Sequence, residues 1–139
     1  MSTLTEAIMI AAKSHEGQLD KGGQPYILHP LRVMLQAGDT DTRIVAVLHD
    51  VVEDSDCSLE ELRQAGFHEH IIAALDCLTR RPEEAYEAFL QRIRPNKLAA
   101  AVKRLDLEDN MNLDRIPNPT EQDYERLSKY KHAVRRLSE

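Results

Sequence analysis

The sequence predicts an all-α fold of about eight helices, and three observations carry that prediction. Apolar residues recur at three- and four-residue spacing along most of the chain, which is the period of a helix face. Small polar residues stand just ahead of these periodic segments, twice followed three positions later by glutamate in a capping box. The apolar complement is mainly Leu, Ile, Val and Ala, with aromatics at 4% and no Trp. That composition suits helix-on-helix packing better than a strand-rich sandwich. There is no credible strand, internal repeat, low-complexity tract or linker.

The elements follow in order. Thr3 and Glu6 form the first capping box, and Leu4, Ala7, Ile8, Ala11, Ala12 and His15 continue one apolar face. Residues 17–25 are polar and contain Gly22 and Gly23, which reads as a loop. A second helix begins near Pro30, where proline suits a first turn, and stops at Gly38. Asp41 caps a third, which runs through Ile44, Val47, Leu48 and Val51 into segment 48–55, LHDVVEDS. Ser58 and Glu61 open a short fourth helix ending at Gly66, and Ile71, Ile72, Leu75 and Leu78 mark a fifth. Pro82 starts a sixth that fails before Pro95. Asn96 caps a long seventh through Leu98, Val102 and Leu105 to about Leu113. Pro117 and Pro119 then break the chain, and Thr120 with Asp123 opens the last helix.

Bulk properties limit the functions open to this chain. Its 139 residues are expected to form a single domain, 1–139, burying about two thirds of the unfolded surface. No apolar run approaches the ~20 residues of a membrane span, so no membrane partner is expected. A net charge of −6 leaves no basic stripe for nucleic acid, though a phosphorylated small molecule held through a metal remains compatible. Cys57 and Cys77 lack CxxC spacing and read as reduced thiols. The N-terminus lacks the basic and apolar blocks of a signal peptide, so a cytoplasmic location is expected. Oligomeric state is unknown from sequence.

The most informative segment is HDVVED. If it is helical, His49 lies one turn from Glu53 and Asp50 one turn from Asp54, with Val51 and Val52 on the opposite side. An imidazole and three carboxylates against a core demand a positive charge among them, which a divalent metal supplies. The competing reading is the solvated acidic end of an amphipathic helix. His29, at a loop-to-helix junction, and Asp106, at the edge of a buried stripe, extend the set. His29, His49, Asp50 and Asp106 together suit Mn²⁺, Fe²⁺, Ni²⁺ or Zn²⁺ better than Ca²⁺. Four protein ligands leave an octahedral ion two positions for water and a substrate oxygen, as a hydrolase needs. Taken alone, Asp106 fits a salt bridge to Lys103 or a cap equally well. His15 reads as a hydrogen-bonded core histidine. His68, His70 and His132 read as surface residues, and Glu108 and Asp109 as a solvated face.

The order H…HD…D on three helical segments resembles the HD-domain superfamily of metal-dependent phosphohydrolases, and within it the Rel/SpoT-type alarmone hydrolases. The matching stretches are AAKSHEGQ at 11–18, GQPYILHPLRV at 23–33, LHDVVED at 48–54, and Val102, Lys103 and Asp106 through Asn110 and Met111. The resemblance implies an HD-domain helical bundle. It makes His29, His49, Asp50 and Asp106 the ligands of a metal, usually Mn²⁺, with another divalent transition metal possible. Glu53 and Asp54 become the pair that positions and activates the attacking water, either of them serving as base. Asn110 would contact the ribose or phosphate region, Lys21 the nucleotide, and His15 would support the pocket. The implied reaction removes pyrophosphate from the 3′ position of (p)ppGpp.

One position departs from the pattern. Five residues after His15 these enzymes usually carry an arginine, which stacks on guanine; here Asp20 precedes Lys21. A carboxylate can accept from a guanine N1/N2 edge or from an adenine amino group, so (p)ppApp and other nucleotides stay open as small-molecule substrates. Arg32, Arg43, Lys103 and Arg104 are available for phosphates. The chain length implies a stand-alone hydrolase of the stringent-response alarmone. The alternatives are an HD-type phosphatase for another nucleotide or phosphoester, and a catalytically silent nucleotide-binding HD module.

Overall fold

The computed structural model describes residues 2–112, 116 and 118–138. Among them lie nine α-helices and no strand: α1 (Leu4–Ser14), α2 (Leu28–Gln36), α3 (Thr40–Leu48), α4 (Val51–Asp54), α5 (Leu59–Gln64), α6 (Glu69–Leu78), α7 (Tyr86–Ile93), α8 (Lys97–Asn110) and α9 (Glu121–Ser138). The expected all-α class holds. The count exceeds the expected one because the third helix is divided between Leu48 and Val51. The expected end near Leu113 and the break at Pro117 fall outside the described residues.

At the centre stands α3, in which Ile44, Val45, Ala46, Val47 and Leu48 are all buried. A helix apolar on every side must be surrounded, and α1, α2, α6 and α8 pack around this one. Its β-branched residues are weak helix formers, so packing supplies most of its stability. Ala7 and Ala11 of α1 have no exposed surface and permit close approach. Leu75 of α6 and Leu107 of α8 close the core, and α9 packs on α7 and α8 through Ala133 and Leu137.

Four helix starts lie where the capping chemistry puts them. Thr3 accepts from the Glu6 N–H at 3.2 Å, Ser58 from Glu61 at 3.1 Å, and Asn96 from Ala99 at 3.0 Å. Thr120 and Asp123 bond reciprocally, at 2.8 Å from Thr120 N–H to Asp123 Oδ2 and 3.3 Å from Asp123 N–H to Thr120 Oγ1. Three starts differ. Asp39, not Asp41, caps α3 by accepting from Thr42 N–H at 2.9 Å, and Asp41 lies in the first turn. Helix α2 begins at Leu28, so that Pro30 occupies the third helical position, where its missing N–H leaves no bond unmade. Pro82 opens no helix: Glu83 takes a φ of 64°, and α7 starts only at Tyr86. Glu84 holds this turn by accepting from Arg81 N–H at 3.1 Å and from Arg92 Nη2 at 2.9 Å.

The division at 48–51 has a local cause. His49 Nδ1 lies 2.5 Å from the Ala46 carbonyl oxygen, so the side chain competes with the backbone for that acceptor. The His49 N–H reaches the same oxygen only at 3.5 Å. Asp50 takes φ −103° and ψ −1°, and α4 begins after it with Asp54 N–H donating to Asp50 O at 3.0 Å. No Gly or Pro marks this turn in the sequence.

Two stability outcomes follow. Leu75→Ala is expected to lower unfolding free energy by about 2–5 kcal/mol, read from urea denaturation, because the vacated core volume collapses only partly. Asp39→Ala should remove about 1 kcal/mol near neutrality. The Thr42 backbone and side-chain hydrogen bonds hold the Asp39 carboxyl below its ordinary value. A depressed native pKa contributes stability above the unfolded value that is lost as pH falls through the native one. The difference between wild type and Asp39→Ala should therefore shrink on acidification, and a constant difference would refute the cap as its source.

Candidate metal centre and substrate cavity

Four side chains converge from three parts of the fold. His29 projects from the first turn of α2, His49 and Asp50 from the turn after α3, and Asp106 from α8. One nitrogen or oxygen from each lies within 4.8 Å of all the others, and among the described residues this is the one such His/Cys/Asp/Glu group of three or more. His29 Nε2 stands 2.8 Å from Asp106 Oδ1, and His49 Nε2 stands 3.3 Å from the same oxygen. Asp50 Oδ2 lies 3.1 Å from His49 Nε2 and 3.8 Å from His29 Nε2. His29, His49 and Asp106 are each 3–5% exposed.

The surrounding partners orient this set. His29 Nδ1 lies 2.6 Å from Asp109 Oδ2, and Arg32 clamps Asp109 with bonds of 2.9 and 3.1 Å. Asp109 therefore corrects the expectation of a solvated face, whereas Glu108 is exposed as expected. Its signal was present: Asp109 follows Asp106 by three residues on one helix, hence on the same side. His49 Nδ1 is directed to the Ala46 carbonyl, leaving Nε2 for the cluster. Tyr26 donates to Asp50 Oδ2 at 2.5 Å. Lys103 Nζ donates to Asp106 Oδ2 at 3.0 Å, so the salt bridge weighed for Asp106 is present together with the cluster.

The electrostatics fit a cation. Burial pushes the Asp106 carboxyl up, yet Lys103 and His49 hold it well below the usual carboxylate range. Burial pushes His49 down, but Asp50 and Asp106 carry it well above the ordinary imidazole value. Both imidazoles thus sit where positive charge is stabilised, and a divalent ion competes with protons for such a place. Two imidazole nitrogens with two carboxylate oxygens, each backed by an outer partner, form a donor set that could hold a divalent transition metal. Burial and Asp50 push the Tyr26 phenol above its ordinary value, which keeps it a hydrogen-bond donor.

Glu53 and Asp54 do not share a continuous helical face with His49 and Asp50, because the chain turns between α3 and α4. Both are exposed. Glu53 Oε1 accepts from Arg80 N–H at 2.5 Å, and the Asp54 main-chain oxygen accepts from Gln18 Nε2 at 2.9 Å. Partial burial, with the charges of Asp50 and Glu53, pushes the Asp54 carboxyl above its ordinary value. His15 Nδ1 lies 2.9 Å from Gln18 Oε1, so His15 is the hydrogen-bonded core histidine expected. Its Nε2 is the buried side-chain atom that lacks a hydrogen-bond partner among the described residues. His68, His70 and His132 are exposed as expected, His70 facing Asp41 and His132 facing Glu87.

Beside the cluster opens a cavity of about 300 Å³, at the lower end of the size range of ligand pockets. Its walls include Asp20, Lys21, His29 and Asn110, so the three expected substrate residues meet next to one expected ligand. Asn110 Nδ2 also donates to Asp106 Oδ1 at 3.3 Å. Asp20 Oδ1 accepts the N–H groups of Gly22 and Gln24, each at 2.9 Å, and so shapes the loop that frames the cavity. Arg126 and Tyr130 of α9 form the far wall. Sequence reasoning missed them because nothing local in α9 indicates which helix face turns towards loop 17–25.

Comparison with known proteins agrees with this geometry. A family model described as an HD domain matches residues 7–105. The guanosine-3′,5′-bis(diphosphate) 3′-pyrophosphohydrolase of Aquifex aeolicus (strain VF5) is 34% identical over 89 residues, 61% of this chain and 13% of that protein. A GTP pyrophosphokinase of Streptomyces coelicolor is 31% identical over 105 residues, 73% of this chain and 12% of that protein. The chain thus spans about an eighth of the length of these relatives. A solved structure, described as a metazoan ortholog of SpoT that hydrolyzes ppGpp, superposes with a TM-score of 0.75. That likeness covers 99% of this chain and 84% of the other at 23% identity, and concerns the fold. The family match runs from α1 to within one residue of Asp106 and takes in the positions of the other three clustered side chains, so the chain belongs to the HD domain family.

Proposed function

We propose that this chain is a metal-dependent phosphohydrolase that removes the 3′-pyrophosphate of (p)ppGpp or a close analogue such as (p)ppApp. The observation that carries the reading is the meeting of His29, His49, Asp50 and Asp106 at the edge of a cavity walled by Asp20, Lys21 and Asn110. The activity named for the Aquifex relative supports it. His29, His49, Asp50 and Asp106 would hold a divalent ion, Mn²⁺ in this reading, which would supply Lewis acidity and make water a better nucleophile near neutral pH.

The chain's own residues would do the rest. Lys21 offers a point charge to the nucleotide phosphates, and Asn110 a neutral amide to the ribose or phosphate region beside Asp106. In this reading Asp54 takes the proton, its carboxyl being held above its ordinary value by partial burial and by the charges of Asp50 and Glu53. Glu53, tied to the Arg80 N–H, holds the turn and positions the water. The oxygen of water adds to the phosphorus carried by the ribose 3′ oxygen as one proton of that water passes to Asp54. The bond to the 3′ oxygen breaks, that oxygen leaving as a hydroxyl once it takes up a proton. GDP or GTP and pyrophosphate leave. A second reading, an HD phosphatase for a different nucleotide, is favoured by one observation: a carboxylate, Asp20, stands in the cavity wall.

Purified protein loaded with Mn²⁺ should release pyrophosphate from ppGpp or ppApp. Activity confined to nucleoside monophosphates or p-nitrophenyl phosphate would replace the first reading with the second, and metal binding without turnover would indicate a silent module. Asp50→Ala should lose bound metal and activity together, with activity falling by more than about a hundredfold, beyond the effect of removing an outer partner. Glu53→Ala and Asp54→Asn should keep the metal while kcat drops, Asp54→Asn by about 10²–10⁴-fold. Equal metal loss in all three variants, measured by elemental analysis, would overturn this division of roles.

A further inference from the structure

Asp106 gives its two carboxylate oxygens to different partners. Oδ1 faces His29 Nε2, His49 Nε2 and Asn110 Nδ2 at 2.8, 3.3 and 3.3 Å. Oδ2 faces Lys103 Nζ at 3.0 Å. The Lys103 side chain, only 15% exposed, starts one turn earlier on α8. Its ammonium lies 5.4 Å from the Phe89 ring centroid and 5.9 Å from that of Tyr86. Aromatic faces attract a desolvated cation, so α7 supplies the wall that keeps this charge in place.

A fixed positive charge beside a ligand works against metal affinity, because it repels the incoming ion. A neutral donor would orient Asp106 without that repulsion, and neutral donors commonly do so around metal sites. A charged donor bonds a carboxylate more strongly than a neutral one, and with Oδ2 so engaged Asp106 presents Oδ1 to the cluster. We propose that Lys103 is a positioning residue that confines Asp106 to ligation through Oδ1 alone, keeping a coordination position open for water or a phosphoryl oxygen. This inference rests on the metal-dependent hydrolase reading above.

The test uses the full chain with Mn²⁺ as probe. Lys103→Met keeps the apolar stem and removes the donor, whereas Lys103→Arg keeps a charged donor. Three quantities are read: Mn²⁺ affinity from the free-ion electron resonance signal, water-proton relaxation per bound ion, and kcat and KM on ppGpp. In Lys103→Met, Mn²⁺ should bind at least as tightly as in wild type. Relaxation per ion should fall by about half as one of the two open octahedral positions closes. kcat should fall at least about tenfold, with KM changed less than about threefold. Lys103→Arg should restore both relaxation and kcat. Unchanged relaxation in Lys103→Met, or metal affinity lost in step with kcat, overturns the proposal. If Lys103→Met does not fold by circular dichroism, Lys103→Ala, which lacks any side-chain donor and leaves room for water, must show the same fall in relaxation. A wild type that binds Mn²⁺ but hydrolyses no nucleotide overturns the proposed function, while relaxation still decides the role of Lys103. A wild type that binds no Mn²⁺ overturns both.

Discussion

The burial of the Asp106 carboxylate is the constraint around which the rest of the structure is arranged. At 5% exposure it has almost no water to solvate its charge. An unpaired buried carboxylate would be neutralised or would destabilise the fold. Here His29 from α2, His49 from the end of α3, and Lys103 and Asn110 from α8 itself surround it. Three of the helices that make the core are thereby locked in register by one side chain. Leu, Val and Ile contacts bring α2, α3 and α8 together without specifying their register closely. The polar cluster does specify it, since a shift of one residue would leave buried charges unpaired.

The same demand explains the irregular backbone beside it. A continuous helix through segment 48–55 would place four polar side chains along one face. The observed turn instead directs His49 and Asp50 inward and leaves Glu53 and Asp54 at the rim, next to solvent and the Arg80 backbone. Gln18 and Tyr26 then tie loop 17–25 to this turn, one through the Asp54 carbonyl and the other through the Asp50 carboxylate. His49 with Asp50 and the two rim acids are thus held by separate elements and have different surroundings. In the proposed reading, that separation lets two neighbouring polar pairs, His49 with Asp50 and Glu53 with Asp54, take different chemical roles.

Fold alone says little about chemistry, and the superposition with the metazoan structure is an argument about fold. The functional case is made at the site, where donor set, cavity and acidic rim coincide. Asp20 gains a meaning there that its residue type does not convey. Its Oδ1 accepts two backbone N–H groups and closes the loop, so part of its work is to shape the cavity mouth. In the proposed reading, base recognition would draw on the whole wall, Arg126 and Tyr130 included, and not on a single exchanged residue.

The helices were legible because their signals are local. Thr3, Ser58, Asn96 and Thr120 cap where they stand, since a cap's side chain accepts from N–H groups two or three residues on. The ligand candidates were legible because an imidazole or a carboxylate on an apolar stripe is conspicuous in any sequence. The turn at His49 left no trace, because its cause is a side-chain bond that depends on the final burial of the ring. The spacing from Asp106 put Asp109 on the same side of α8, but its partners, His29 and Arg32, come from another helix and so were not legible. Helix content, the HD motif and the residue types of the centre were therefore set by the sequence itself, through interactions spanning at most a turn or two. Tertiary structure alone decided which oxygen faces which nitrogen, which acids lie inside, and which helix walls the cavity. Those are distances between groups far apart in the chain, and no local pattern encodes them.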